Sequence, residues 1–122
     1  MAKIERHQKD EKLSRIVVHK GTIYLSGLTA DDRKADTAGQ TRQILQKADA
    51  LLKSVGADRS RLLCAQIWLK DVADFDAMNK AWVVWLDGAE PPARYGRSKL
   101  RVARYPCRNT AYRRRLLISG VR

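Results

Sequence analysis

Apolar and polar positions along this chain follow two different spacings, and the places where one gives way to the other mark the element boundaries. Residues 3–7 (KIERH) fit a short edge strand, and the polar QKDEKLS after them fits a connection. RIVVHKGTIYLSG, residues 15–27, holds two β-rich runs around Lys20-Gly21. Glycine tolerates the positive φ that a tight hairpin turn demands, so this stretch predicts a hairpin. Ile23 and Leu25 share one face of its second strand, Thr22, Tyr24 and Ser26 share the other, and Gly27 ends it.

Beyond a polar loop around Asp31-Asp32 the period becomes helical. Thr37 and Gln40 stand at capping-box spacing, each side chain able to satisfy a free backbone N–H of the other. Ile44, Leu45, Ala48, Leu51, Leu52 and Val55 form one apolar stripe, which predicts a helix over residues 37–55 closed by a left-handed Gly56. SRLLCAQIWLKD, residues 60–71, returns to period two. Leu63, Ala65, Ile67 and Leu69 lie on one face and Leu62, Cys64, Gln66 and Trp68 on the other. Both faces are largely apolar, which predicts a strand covered by helices on one side and by another subunit on the other.

Asp71 or Asp74 can cap a second helix, with Phe75, Met78, Asn79, Trp82 and Leu86 along one side and Gly88 at its end. Asn79 is the polar exception on that stripe. Glu90-Pro91-Pro92 cannot continue a helix and predicts a turn into a further extended segment. The order to this point is β, β, β, α, β, α. Two amphipathic helices need a sheet wide enough to bury them, so a closing pair of strands is expected.

Charge divides the chain at Arg94. Nine of its 25 Lys and Arg and none of its 13 Asp and Glu lie in residues 95–122, so that segment carries +9 of the net +12. It also lacks the regular apolar period of residues 1–94. At 122 residues the chain is expected to hold one independent domain. With no run of 18 apolar residues and a polar start (MAKIERHQKDEK), a soluble cytoplasmic protein is expected, with no membrane partner. Cys64 and Cys107 make no disulfide framework, and His7 and His19 stand apart from any zinc-ligand spacing. Trp68, Trp82 and Trp85 read as packing residues, and Arg113-Arg114-Arg115 as part of a basic tail.

HKGTIYLSG, then QTRQILQKADALLKSVGADRSRLLCAQIWLKDVADFDAMNKAW, then PPAR, in that order and spacing, resemble the RidA/YjgF (reactive intermediate deaminase) family over nearly all of residues 5–94. The resemblance is nearest to the short YoaB-like members. It implies an α+β fold, a chorismate-mutase-like β-sheet backed by two helices, in a homotrimer whose clefts lie between subunits. In the deaminase branch the substrates are small carboxylate-bearing enamines and imines such as 2-aminoacrylate. They are hydrolysed to 2-keto acids and ammonia with no cofactor.

The same resemblance carries over particular residues. Arg94 matches the arginine of the family's Pro-x-Arg motif and would grip the substrate carboxylate, for which a planar guanidinium offers two parallel hydrogen bonds. Ser26 and Gly27 match the family's Ser-Gly at the cleft, and Asn79 a cleft asparagine. Leu13-Ser14-Arg15 stands near the place of the Gly-Pro-Tyr segment of other deaminases, and Leu28 replaces a frequent glutamine. The family's glutamate in a closing Val-Glu-Ile, thought to orient or activate water, has no counterpart, because no acidic residue follows Glu90. No catalytic residue is therefore carried over. A ligand sensor or RNA-associated binding module without deaminase activity is the alternative, since some family members were described as ribonucleases.

The basic segment has a specific explanation. A codon choice exists for residues 95–115 that, shifted by one base, reads Thr-Val-Glu-Ala-Asn-Phe-Ala-Ser-Pro-Asp-Thr-Pro-Val-Glu-Ile-Arg-Leu-Thr-Ala-Ala. This is similar to the family's closing strands, with Val-Glu-Ile falling across Cys107 to Thr110. Residues 1–94 are therefore expected to form the RidA-like domain. Residues 95–122 are expected to be an anomalous, frame-shifted segment in place of the closing strands.

Overall fold

The computed structural model describes residues 3–69, 71–98 and 115–121. Strands β1 (Ile4–Lys9), β2 (Ser14–His19) and β3 (Thr22–Leu25) are followed by helix α1 (Thr37–Ser54), strand β4 (Leu62–Leu69), helix α2 (Phe75–Leu86), strand β5 (Ala93–Ser98) and strand β6 (Arg115–Val121). The strands join in one sheet ordered β1-β2-β3-β6-β4-β5. The β, β, β, α, β, α order read from the sequence holds, and the extended segment expected beyond Glu90-Pro91-Pro92 begins at Ala93.

Both helices are crossovers. Strand β6 runs antiparallel to β3 and to β4, so β3 and β4 point the same way and α1 carries the chain back between them. Strand β5 is parallel to β4, and α2 supplies the return that a parallel pair needs. The two helices pack against one face, where Ile16, Ile23, Leu25, Ala65, Ile67 and Leu69 from the sheet meet Ile44, Leu45, Ala48, Leu52, Met78 and Trp82 from the helices. The opposite face carries Tyr24, Cys64, Gln66 and Trp68, none of them buried within one chain. Cys64 is a free thiol; Cys107 lies outside the described residues.

Local chemistry accounts for the element ends. In the β2–β3 turn Lys20 (φ 49°) and Gly21 (φ 77°) both take positive φ, the combination that matches the twist of a two-residue hairpin. At the end of α1, Gly56 N–H donates to the carbonyl of Lys53 and Ala57 N–H to that of Leu52, which closes a Schellman motif around Gly56 (φ 76°).

The capping box at Thr37 is not formed. Asp36, one residue earlier, is the N-cap, its Oδ1 accepting from Gly39 N–H at 2.7 Å. A carboxylate there also meets the positive end of the helix dipole. Gln40 points away from the first turn, its Nε2 donating to the carbonyls of Arg33 (3.0 Å) and Ala35 (2.8 Å). The strand predicted over 60–71 is shorter, because Asp58 and Asp71 each cap a single 3-10 turn at its flanks, through Ser60 N–H and Ala73 N–H. Phe75, placed on the buried stripe of the second helix, is 42% exposed. The burying residues of α2 are Met78, Ala81, Trp82, Trp85 and Leu86.

A polar clamp ties the two helices together. Asp49 Oδ2 on α1 accepts from Arg59 Nη2 (3.0 Å) and from Trp85 Nε1 (2.9 Å). Arg59 also donates to the Trp85 carbonyl in the last turn of α2 and sits 5.0 Å from the centroid of that indole.

Candidate functional site

Arg94 is the second residue of β5, and its parallel neighbour on β4 is Ala65, which is fully buried beneath the helices. Neighbours across a ladder project to the same face, so the Arg94 side chain is sent toward α2. There it meets Phe75, Asn79 and Trp82, spaced i, i+4 and i+7 and hence on one stripe of the helix. Arg94 Nη1 donates to Asn79 Oδ1 at 2.7 Å. The guanidinium carbon lies 5.6 Å from the centroid of the Phe75 ring and 5.7 Å from that of Trp82. Among the described residues no carboxylate forms an ion pair with it.

Partial burial pulls the Arg94 pKa down from the ordinary guanidinium value, because a desolvated cation is less stable than a hydrated one. The group still stays charged near neutral pH. Two aromatic faces and one neutral acceptor therefore hold a partly desolvated cation whose charge is unspent. Such a group favours an anion, and a carboxylate fits its fork-shaped donor set. Two of the residues singled out from the sequence, Arg94 and Asn79, are thus in direct contact. The flanking rings of Phe75 and Trp82 were missed as site residues; their spacing about Asn79 was the available signal.

Ser26 and Gly27 lie elsewhere in the chain's own frame. Ser26 N–H continues the hairpin ladder by donating to the Arg15 carbonyl at 3.0 Å. Its hydroxyl is buried with no hydrogen-bond partner among the described residues. Strands β6 and β4 lie between β3, which leads into Ser26-Gly27, and β5, which carries Arg94. That puts the two groups about 14 Å apart across the sheet, three strand spacings. The loop after Gly27 is tied down by one stripe of α1. Gln40 holds the Arg33 and Ala35 carbonyls, Gln43 Oε1 accepts from Asp32 N–H (3.1 Å), and Lys47 Nζ donates to the Thr29 carbonyl and Asp31 Oδ1 (2.7 Å each).

His7 approaches Glu5 on the edge strand, and among the described residues no cluster of three or more His, Cys, Asp or Glu could hold a metal. No helix among them is long and apolar enough to cross a membrane. Trp82 and Trp85 are packed in the interior with ring centroids 5.4 Å apart.

Architecture and site together define a two-layer α+β domain, a mixed sheet backed by two helices with a cation at the end of one crossover. The family model described as Endoribonuclease L-PSP matches residues 4–109, and the chain belongs to this family, the RidA/YjgF proteins. It is 37% identical over 91 residues to the RutC family protein YoaB of Escherichia coli, covering 75% of this chain and 79% of that relative. Solved structures agree over more of its length. An uncharacterized protein from Pseudomonas aeruginosa superposes with a TM-score of 0.84 at 30% identity, covering 98% of this chain and 99% of that one. A YjgF-family protein from Neisseria meningitidis gives 0.84 at 27% identity, covering 98% and 95%.

Proposed function

We propose that this protein hydrolyses small carboxylate-bearing enamines and imines, of the 2-aminoacrylate type, to 2-keto acids and ammonia. The observation that carries the reading is the Arg94 guanidinium, partly buried between Phe75 and Trp82 with no carboxylate partner among the described residues. Arg94 binds the substrate carboxylate and so fixes the neighbouring C=N or C=C–N unit. An enamine gains a proton at carbon and becomes an iminium. Water adds to the C=N carbon, the C–N bond breaks, and ammonia leaves with the keto acid. Ser26 and Gly27, by family correspondence, belong to the same cleft. Their distance from Arg94 within one chain fits a cleft completed between subunits of a homotrimer.

The chain has no acidic residue after Glu90, so the closing-strand glutamate that the family resemblance implies for orienting or activating water has no counterpart. Turnover below that of an intact relative is the expected result. The test couples the protein to a dehydratase that releases 2-aminoacrylate and follows ammonia and pyruvate. Faster release that Arg94→Ala abolishes supports the reading, and release unchanged by either protein rejects it.

One observation favours a second reading as an RNA-associated module. The +9 charge of residues 95–122 has no acidic counterweight. Each phosphate neutralised adds to the salt dependence of binding. Salt-sensitive RNA binding whose slope falls in Arg113→Gln, Arg114→Gln protein supports it.

A further inference from the structure

Asn79 was expected to touch substrate, but its side-chain carbonyl is already engaged. Its Oδ1 accepts from Arg94 Nη1 at 2.7 Å, a short bond to a charged donor. The guanidinium carbon lies over both rings, 5.6 Å from the centroid of Phe75 and 5.7 Å from that of Trp82. A ring face, however, does not select one rotation of the guanidinium plane about its own normal. The Asn79 bond does so, because it names one nitrogen of the fork. We infer that Asn79 is a positioning residue for Arg94: a neutral acceptor that turns the guanidinium fork toward the carboxylate of the ligand without cancelling its charge.

The neutrality of the amide is the point of the arrangement. An aspartate in the same place would offer Arg94 a permanent carboxylate, and a ligand carboxylate would then compete with a covalently tethered one. The amide supplies the geometry of that contact and leaves the net charge for the ligand. Its place on the stripe also accounts for a polar residue among the apolar positions of α2. The inference rests on the reading of Arg94 as a carboxylate-binding group.

The test uses the full chain, with pyruvate as the probe, titrated by calorimetry or by amide chemical shifts. Losing one hydrogen bond to a charged group predicts that Asn79→Ala weakens pyruvate binding about tenfold. Asn79→Asp, nearly the same in shape, is expected to weaken it about 100-fold while melting at or above the temperature of the parent. Arg94→Ala costs more affinity than either, and adding Asn79→Ala to the weak binding that remains changes nothing more. In steady-state assays Asn79→Asp raises KM far more than it lowers kcat. Asn79→Gln, which keeps a neutral acceptor, recovers part of the affinity.

Pyruvate affinity within twofold of the parent in Asn79→Asp overturns the inference, as does a loss in Asn79→Ala that persists in full on the Arg94→Ala background. If Asn79→Asp does not fold, the pair Asn79→Ala and Asn79→Gln decides on the same terms. The two readings separate cleanly. Pyruvate binding that depends on Asn79, without any 2-aminoacrylate turnover, leaves the inference standing and removes the enzyme. Turnover that is indifferent to Asn79→Asp removes the inference and leaves the enzyme.

Discussion

Arginine and lysine carry the same charge, yet the surroundings of Arg94 distinguish them. A lysine ammonium is a strongly hydrated point charge and cannot use both aromatic faces and a fork of donors together. Arg94→Lys is therefore expected to keep weak, salt-sensitive carboxylate binding and lose about tenfold or more in kcat/KM, with Arg94→Ala losing more still. Because the cation stays protonated well above neutrality, affinity for a fully ionised carboxylate should be flat from pH 6 to 9 on the protein side. A titration midpoint inside that range would point to another group. Acid acts elsewhere. The Ser60 hydroxyl and then its backbone N–H hold the Asp58 carboxyl below its ordinary value of 3.8, and the backbone N–H groups of Leu13 and Lys12 do the same for Asp10. A depressed carboxylate stabilises above its unfolded pKa and loses that contribution as pH falls through the lower folded one. Asp58→Asn and Asp10→Asn should thus reduce the acid sensitivity of the melt below about pH 4. Arg94 and Asn79 were singled out through the family's Pro-x-Arg motif and one polar break in an apolar stripe, and the structure brings the two into contact. Phe75 and Trp82 were not, since the same residue types at helical spacing usually mean core.

Among the elements, α1 and α2 hold each other through Asp49, Arg59 and the Trp85 indole and carbonyl. Arg59 and Asp49 are about one-third exposed, which discounts the ion pair itself. The hydrogen bonds to charged partners remain. Asp49→Ala removes the acceptor shared by Arg59 Nη2 and the Trp85 indole N–H, and a loss of about 1–2 kcal/mol is expected, read as a drop of several degrees in Tm. Just beyond Trp85, at the C-cap of α2, the sign reverses. Asp87 holds φ 48° with a carboxylate at the negative end of the helix dipole, so Asp87→Gly relieves both and should stabilise by about 0.5–1 kcal/mol in a denaturant titration. Periodicity placed both helices to within a residue or two. The caps were harder: Asp36 and Thr37 are both good capping residues, and which one leads depends on where Gln40 finds acceptors in the preceding loop, a contact no local pattern records.

At the scale of the molecule, the sheet is continuous only because β6 fills the slot between β3 and β4. That arrangement was not readable from residues 95–122, whose charge and missing period gave no strand signal, and the pairing joins segments far apart in the chain. The stretch from Cys107 to Thr110, across which the shifted reading places Val-Glu-Ile, lies outside the described residues. We propose that a frame-restored chain, sharing residues 1–94 and carrying the shifted reading afterwards, pairs the same slot with a more regular apolar face. It is expected to melt several degrees higher and to elute as a trimer more completely than the 122-residue form. Equal melting and equal trimer content would remove the frame-shift account. Trimer formation would also cover Tyr24, Cys64, Gln66 and Trp68, so Tyr24→Glu should shift the light-scattering mass toward one chain.

The placement of β6 has a kinetic consequence. The middle of the sheet is filled by the part of the chain that leaves the ribosome after everything it joins. Until residue 115 has emerged, β3 and β4 each present an open hydrogen-bonding edge on either side of a gap. A nascent chain stalled short of that point is a pair of half-sheets available to chaperones or to each other. Strand β6 acts as the keystone of the sheet.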